Sequence, residues 1–202
     1  FSTRRGQTIH LEDVLENAIA RAKEITEKSE TTRGFSTKEK DKVARTVGIG
    51  GVKYNDLSQH PAGDIVFDWG KILNLKGNSA PYLQYTYARC KSILRKSKLN
   101  LVKLSFKKLS LTKFAAEEMA LLRLLYRFPE VVREAAEKFS PNLVCNFVFD
   151  VAQRYNLFYN TSPVLKAETR ASKDFRLLLT AAVAQVVKNS LMLLGIKTLE
   201  RM

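Results

Sequence analysis

The sequence is poor in the side chains that build metal centres and nucleophilic active sites. Its 202 residues include two cysteines, Cys90 and Cys145, and two histidines, His10 and His60. Neither cysteine has a second cysteine or a histidine at zinc-site spacing, so we expect no metal site and no disulfide framework. The histidines fit no Ser/His/Asp or Cys/His set. We therefore expect reduced core cysteines, surface or helix-flanking histidines and no catalytic residue among them.

Long apolar runs and targeting segments are also missing. No run approaches about 18 consecutive apolar residues, the length that a membrane-spanning helix needs, and no signal-peptide pattern opens the chain. The sequence thus predicts a soluble, cytoplasmic protein with no membrane partner.

Acidic residues are absent from the middle of the chain. From Trp69 to Ala116 the sequence has no Asp or Glu, while Lys and Arg together occur eleven times. The whole chain carries a net charge of +14. A solvated lysine-rich surface normally has interspersed carboxylates, so this distribution favours a surface that faces phosphates. An anionic membrane surface or an acidic protein partner is the alternative.

The segment from Gly77 to Lys96 joins a strong helix start to an aromatic and basic cluster. Ser79 can cap a helix that has Pro81 in its first turn. An apolar stripe at helical spacing comprises Leu83, Tyr87, Cys90 and Leu94. The residues off that stripe are Tyr82, Tyr85, Arg89, Lys91 and Arg95. Rings and cations on one helix face suit a single-stranded nucleic-acid loop, whereas the simpler interpretation is an amphipathic helix with a solvated basic face.

Helical periodicity covers most of the remaining sequence. Apolar residues recur at three- and four-residue steps from Leu11 to Ile25 and in several segments after Thr112, a possible cap. In the last segment, 174–194, the residues expected to face inward are Leu178, Ala181, Ala182, Val186, Leu191 and Leu194. We therefore predict a mainly all-α fold, an antiparallel helical bundle preceded by a smaller, mostly helical connective region.

Three stretches carry less regular signals. Ser36 and Glu39 have the spacing of a capping box, which predicts a helix that a glycine cluster at 48–51 then interrupts. A short helix should follow the glycines and end near His60. DIVFDW, residues 64–69, alternates like a strand and predicts a short extended segment or hairpin arm. Residues 97–110 fit an extended connector or a short helix equally well.

Several motifs follow one another along the whole chain in an informative order. They are FSTRRG (1–6) with the LEDVLENA helix after it, GGVKYNDLS (50–58), DIVFDW (64–69), GNSAPYLQYTYAR (77–89), FPEVVREAAE (128–137), YNLFYN (155–160), RLLLTAA (176–182) and LLGIKTLERM (193–202). In this order they resemble the arginyl-tRNA synthetases, class I aminoacyl-tRNA synthetases. The resemblance divides the chain into a signature-loop remnant with a stem-contact region, residues 1–76, and a helical anticodon-binding domain, residues 77–202.

The resemblance also implies that the active site lies elsewhere in a longer protein. The His-x-Gly-His signature of the class is absent from these 202 residues. The longer enzyme would use ATP and Mg²⁺ to attach arginine to arginine tRNA, whereas this chain should hold neither cofactor and should be inactive alone. It would act as a monomer.

The first residues resemble the ATP loop only in part. The family-wide tetrad is Lys-Met-Ser-Lys, and aligning Phe1-Ser2 with Met-Ser leaves Thr3 where the second lysine would stand. Arg4 or Arg5 can supply the missing charge with a different geometry. The expected loop remnant is Ser2, Thr3, Arg4, Arg5 and Gly6. The tetrad that names the anticodon-binding domain is likewise only approximated, by Asp174-Phe175-Arg176.

Matches to family positions near the anticodon indicate which residues contact tRNA. The expected anticodon-binding residues are Tyr85, Arg89, Tyr155, Asn156, Tyr159 and Met202. The expected phosphate-binding residues are Lys91, Arg95 and Lys96. Tyr155 also fits the apolar stripe of its helix, so a core position is equally open for it. A generic basic nucleic-acid-binding module and a bundle that binds proteins or anionic surfaces are the competing functions.

Overall fold

The computed structural model describes residues 10–63, 65, 67–98 and 114–202, and these residues contain α-helices and no β-strand. The helices are α1 (Leu11–Lys28), α2 (Thr37–Leu57), α3 (Trp69–Ile72), α4 (Ala80–Ser97), α5 (Ala116–Tyr126), α6 (Phe128–Glu137), α7 (Asn142–Thr161) and α8 (Arg170–Leu193). A single 3₁₀ turn, Glu30–Thr32, follows α1. The predicted all-α fold is confirmed.

The first two helices form a closely packed pair. α1 has Glu12 and Asp13 in its first turn, where the helix dipole favours acids. α2 begins with the predicted capping box, because Ser36 Oγ accepts from the Glu39 amide while the Glu39 carboxylate accepts from the Ser36 amide at 2.8 Å. The hydrogen bonds that the Glu39 carboxylate accepts from the Ser36 amide and from the Ser36 hydroxyl lower its pKa.

The predicted interruption of α2 at its glycines is wrong. The helix runs without a break from Thr37 to Leu57 and ends before His60. The glycines are needed for close packing and not for a turn, since a Cβ on Gly48 would lie 2.7 Å from the backbone carbonyl of Ala18 in α1. A Cβ on Gly51 would lie 3.0 Å from the Ile72 side chain. Absent side chains let neighbouring elements approach the α2 backbone.

The segment before α4 is also less strand-like than its alternation predicts. Asp64 and Val66 lie outside the described residues, and Ile65 is exposed. Asp68 Oδ1 accepts a hydrogen bond from the Gly70 amide at 2.8 Å, which starts the short helix α3 at Trp69. The predicted Thr112 cap and most of the 97–110 stretch also lie outside the described residues.

The bundle is formed by α4 to α8. Ser79 caps α4 as predicted, with its Oγ accepting from the Tyr82 amide, and Lys98 ends the helix. α4 packs against α8, and α7 packs against α5, α6 and α8. A half-buried ion pair between Arg176 and Glu118, 2.7 Å long, joins α8 to the start of α5. The apolar residues at helical spacing in α7 are all buried, namely Val144, Phe147, Val148, Val151 and Tyr155.

Helix α8 differs from its prediction in start and in buried face. It begins at Arg170 instead of Asp174, because the Thr169 hydroxyl caps it by accepting from the Ser172 amide. The fully buried face includes Leu177, Leu179, Val183, Val187 and Leu191. Of the predicted inward residues, Leu191 and Leu194 are buried, Leu178, Ala181 and Val186 are half-buried, and Ala182 is exposed. Neighbouring helices on several sides bury a wide arc of α8. A single apolar stripe in the sequence therefore did not predict which of its residues are buried.

Two groups of buried side chains make up the core. The main cluster joins α4 to α8 and also contains Tyr54 of α2, whose hydroxyl donates to the Cys145 carbonyl at 2.9 Å. The second, which we call the N-terminal cluster, contains Ala22, Val43, Ala44, Val47, Ile72, Leu73 and Leu199. Leu199 comes from the end of the chain, so the C-terminus closes the N-terminal cluster.

Among the described helices, only α8 is long and apolar enough to cross a membrane, judged by length and composition alone. Its packing against α4, α5 and α7 accounts for that composition, because it supplies a large part of the main cluster.

The packing of Gly48 yields a first prediction. Gly48→Ala should gain about 1 kcal/mol of helix propensity but lose more, because the Ala18 backbone cannot give way to a Cβ. We expect a net loss of at least about 1 kcal/mol in the free energy of unfolding by chemical denaturation. Gly34→Ala is the control, since no heavy atom lies within 4 Å of its Cβ. A Gly48→Ala protein as stable as the parent would contradict the close-packing explanation.

Candidate nucleic-acid interface

An open groove of about 800 Å³ lies between α4, the end of α7 with the loop after it, and the last residues of the chain. α4 forms one wall, because Leu83, Tyr87 and Cys90 are buried in the main cluster and turn the opposite side of the helix outward. Tyr85 and Arg89 of α4, Tyr159 of α7 and Met202 all line this groove. The structure therefore brings together four of the residues predicted to bind the anticodon.

Arg89 lies between the two tyrosines of the groove. Its guanidinium carbon is 4.8 Å from the centre of the Tyr85 ring and 5.2 Å from that of Tyr159. Such contacts contribute about 0.5–1 kcal/mol each at partly exposed sites. Tyr159 is 39% exposed and Tyr85 is half-buried, so both rings keep surface available to a ligand.

Asn156 holds the Arg89 guanidinium in place through a hydrogen bond. Arg89 donates to its Oδ1, and the Asn156 amide nitrogen donates to the Tyr82 hydroxyl at 2.8 Å and to the Thr86 hydroxyl at 3.2 Å. Asn156 does not line the groove, but it lines an adjoining pocket together with Tyr85 and Arg89. It acts as the link between α4 and α7 that sets where the Arg89 side chain lies.

Tyr82 and Tyr155 belong to the interior. Tyr82 was expected on the outward face of α4, but it is half-buried, packs against the main cluster and contacts Phe149 edge-on at 5.6 Å. Tyr155 is fully buried beside Tyr159, and burial raises the pKa of its phenol. Its ring supports Tyr159 and is not presented to a ligand in this structure, which agrees with the core position left open for it.

Cations surround the groove, although not in the predicted set. Arg95 and Lys96 line it and are exposed. Lys91 does not line it; its ammonium pairs with Glu200 at 2.9 Å, and this carboxylate raises the pKa of Lys91. The sequence reasoning missed Lys166 and Arg201, exposed cations that also line the groove. Their positions just after YNLFYN and inside the final ERM were the available signal.

The remaining predicted sites give no second candidate centre. Ser2, Thr3, Arg4, Arg5 and Gly6 lie outside the described residues. Within the described part of the chain, no three His, Cys, Asp or Glu side chains come together as a metal site. Cys90 and Cys145 are free and buried, and burial raises the pKa of each thiol to about 12.

Comparisons with known proteins match both parts of the chain to one family. Residues 83–202 match the family described as the DALR anticodon binding domain, and residues 1–69 match the catalytic domain of class I (R) tRNA synthetases. The arginine–tRNA ligase of Chloroflexus aggregans is 41% identical over 100% of this chain and 35% of its own length. The chain belongs to the arginyl-tRNA synthetase family.

Solved structures of arginyl-tRNA synthetases have the same fold over nearly the whole chain. The Thermus thermophilus enzyme matches 96% of this chain with a TM-score of 0.85 and 31% identity, over 32% of its own length. The Plasmodium falciparum enzyme matches 96% with a TM-score of 0.84 and 28% identity, over 34% of its own length. The chain thus spans about a third of the length of the arginyl-tRNA synthetases that it matches.

The Asn156 network yields a second prediction. Asn156→Ala removes the partner of three polar groups, so we expect a loss of about 1–3 kcal/mol in the free energy of unfolding. Asn160→Ala, one helical turn later on the groove wall and exposed, is the control and should change stability little. Urea denaturation of both variants measures the difference. Equal stabilities would show that Asn156 does not support this wall of the groove.

Proposed function

We propose that this chain is the tRNA-binding C-terminal part of an arginine–tRNA ligase, and that its groove receives the anticodon arm of arginine tRNA. The observation that carries the proposal is the Arg89 guanidinium between Tyr85 and Tyr159 on the wall of a basic groove. Splayed bases of an RNA loop stack on aromatic rings and on guanidinium planes. The match to an anticodon-binding domain over residues 83–202 supports the same assignment.

Charge at the groove rim supports a phosphate-bearing ligand. The exposed cations of the rim are Arg95, Lys96, Lys166 and Arg201. Among the described lining residues Glu200 is the only acid, and its pairing with Lys91 offsets its charge. We therefore assign phosphate contacts to Arg95 and Lys96, whereas Lys91 contributes to them only if it leaves Glu200.

We propose base contacts for the residues that are presented to the groove. Tyr85 and Tyr159 would stack on bases, Arg89 would offer its guanidinium plane and edge, and Met202 would pack on an apolar base face. Asn156 and Tyr155 would act behind this layer, Asn156 by holding Arg89 and Tyr155 by supporting the Tyr159 ring.

The activity belongs to the longer protein in this proposal. The complete enzyme would attach arginine to tRNA with ATP and Mg²⁺, in the cytoplasm and as a monomer. Because the His-x-Gly-His signature is absent from the 202 residues, we expect this chain to bind tRNA without charging it. Residues 1–76 would form the signature-loop remnant and stem-contact region, and residues 77–202 the anticodon-binding domain.

The stacking proposal yields a third prediction. Tyr85→Ala and Tyr159→Ala should each weaken binding of an arginine tRNA transcript by about 1–3 kcal/mol, because each removes one stacking surface. Tyr126→Ala is the control, since this tyrosine is 82% exposed and lies off the groove. Fluorescence-monitored titration gives the affinities, and thermal melting checks that each variant is folded.

Two outcomes would contradict the proposal. One is unchanged tRNA affinity in both groove variants while they remain folded. The other is equal affinity of the parent chain for tRNA, a DNA duplex and anionic vesicles, which would favour a generic basic surface.

A further inference from the structure

The last eight residues, 195–202, form a segment without helix or strand that we call the C-terminal strap. It begins where Gly195, at φ +66°, ends α8 in a left-handed conformation that suits glycine. The Ile196 amide still donates to the Leu191 carbonyl at 2.8 Å, and the Ile196 side chain is buried in the main cluster. Beyond this point the strap contacts both α4 of the bundle and the N-terminal cluster.

Two long side chains fix the backbone of the strap near its start. Lys53 of α2 donates to the Gly195 carbonyl at 2.9 Å. Gln84 of α4, fully buried, donates to the Lys197 carbonyl at 2.8 Å. The strap is therefore held between α2 and α4 before it reaches the groove.

The next three residues contact other parts of the chain. Leu199 is 8% exposed and packs in the N-terminal cluster. Glu200 pairs with Lys91 of α4, and the Arg201 guanidinium lies 4.8 Å from the centre of the Phe35 ring. Of these contacts only the one made by Leu199 is well buried, so it contributes most to holding the strap end.

Met202 lies at two cavities at the end of the strap. One is the groove, and the other is a mainly apolar pocket of about 510 Å³ that Ile25, Val43 and Val47 also line. Met202 lines both, together with Tyr85 and Arg89. No helix carries Met202, so its position next to Tyr85 and Arg89 depends on the strap and on its own partly buried contact with the N-terminal cluster.

We propose that Leu199 is a positioning residue for the groove, acting on tRNA through Met202 without touching the ligand. The inference rests on the proposed function of the groove. With Leu199 buried, the final residues are ordered before tRNA arrives; without it, binding must also order the strap end, which costs affinity. The N-terminal cluster, formed by α1 to α3, thereby sets the shape of a site on the bundle.

The test compares Leu199→Ala with Leu73→Ala in the 202-residue chain. Leu73 is the same residue type, belongs to the same cluster and is also 8% exposed, but it lies outside the strap and lines neither cavity. We expect Leu199→Ala to weaken binding of an arginine tRNA transcript about fivefold or more, the lower end of what one lost base contact costs. Leu73→Ala should lose similar stability and keep its affinity. If Leu199→Ala folds poorly, Leu199→Val serves in its place.

A double-mutant cycle with Met202→Ala shows whether Leu199 acts through Met202. Because the two residues are proposed to act as a unit, Leu199→Ala should weaken binding no further once Met202 is alanine. Additive losses, or no effect of Met202→Ala alone, would overturn the inference. Affinity equal to that of Leu73→Ala would also overturn it.

Methionine methyl NMR gives a readout independent of tRNA. The chain has three methionines, and Met119 and Met192 lie outside the groove. In Leu199→Ala only the Met202 methyl should shift and sharpen; an unmoved Met202 signal overturns the inference.

If Tyr85→Ala and Tyr159→Ala bind tRNA normally, the proposed function fails. Weakened tyrosine variants beside a normal Leu199→Ala would refute the strap inference alone.

Discussion

The groove depends on how helix α4 packs in the main cluster. One side of this helix is locked into the main cluster through Leu83, Tyr87 and Cys90, so its rotation about its own axis is fixed. That rotation places Tyr85 and Arg89 on the groove, together with Ala88 and Ser92 of the same helix. The Asn156 hydrogen bonds then fix α7 against α4 at the level of Arg89. A rigid element thus positions the side chains proposed to bind RNA, as precise recognition requires.

Two further elements complete the groove from distant parts of the sequence. Tyr159 arrives on α7, supported by the buried ring of Tyr155. Met202 arrives on the strap, whose Leu199 packs among the side chains of α1 to α3. The groove therefore lies where the bundle meets the connection between α1 and α2, from which Thr31 and Phe35 line it. Each of the two core clusters also receives a side chain from the other part of the chain, since Tyr54 of α2 packs in the main cluster and Leu199 packs in the N-terminal cluster.

Local signals predicted the starts of α2 and α4 and much of the core. The Ser36–Glu39 capping box and the Ser79 cap depend on neighbouring residues, so the sequence alone reveals them. The continuity of α2 could not be read in this way, because Gly48 is required by the backbone of another helix. The buried face of α8 is set by several neighbours, and a single apolar stripe underestimates it.

The sequence indicated which residues lie near the candidate site better than it indicated how deeply each of them is buried. The family resemblance named Tyr85, Arg89, Tyr159 and Met202, and the structure places them on one groove. It could not distinguish Tyr155 and Asn156, which lie behind that layer, because depth depends on tertiary packing. The sequence analysis grouped Lys91 with the phosphate contacts. Its ion pair with Glu200 could not be foreseen, because the two residues are 109 positions apart in the sequence.

The groove is proposed to recognise the bases of the anticodon arm and not the phosphate charge that all parts of tRNA share. The most direct test is the affinity of the chain for an isolated anticodon stem-loop of arginine tRNA, compared with an acceptor-stem minihelix of equal length. Both RNAs present similar phosphate charge, so the difference reports the loop bases. We predict that the stem-loop binds at least about tenfold more tightly, the effect of one good stacking contact. Equal affinity, or a preference for the minihelix, would contradict the account.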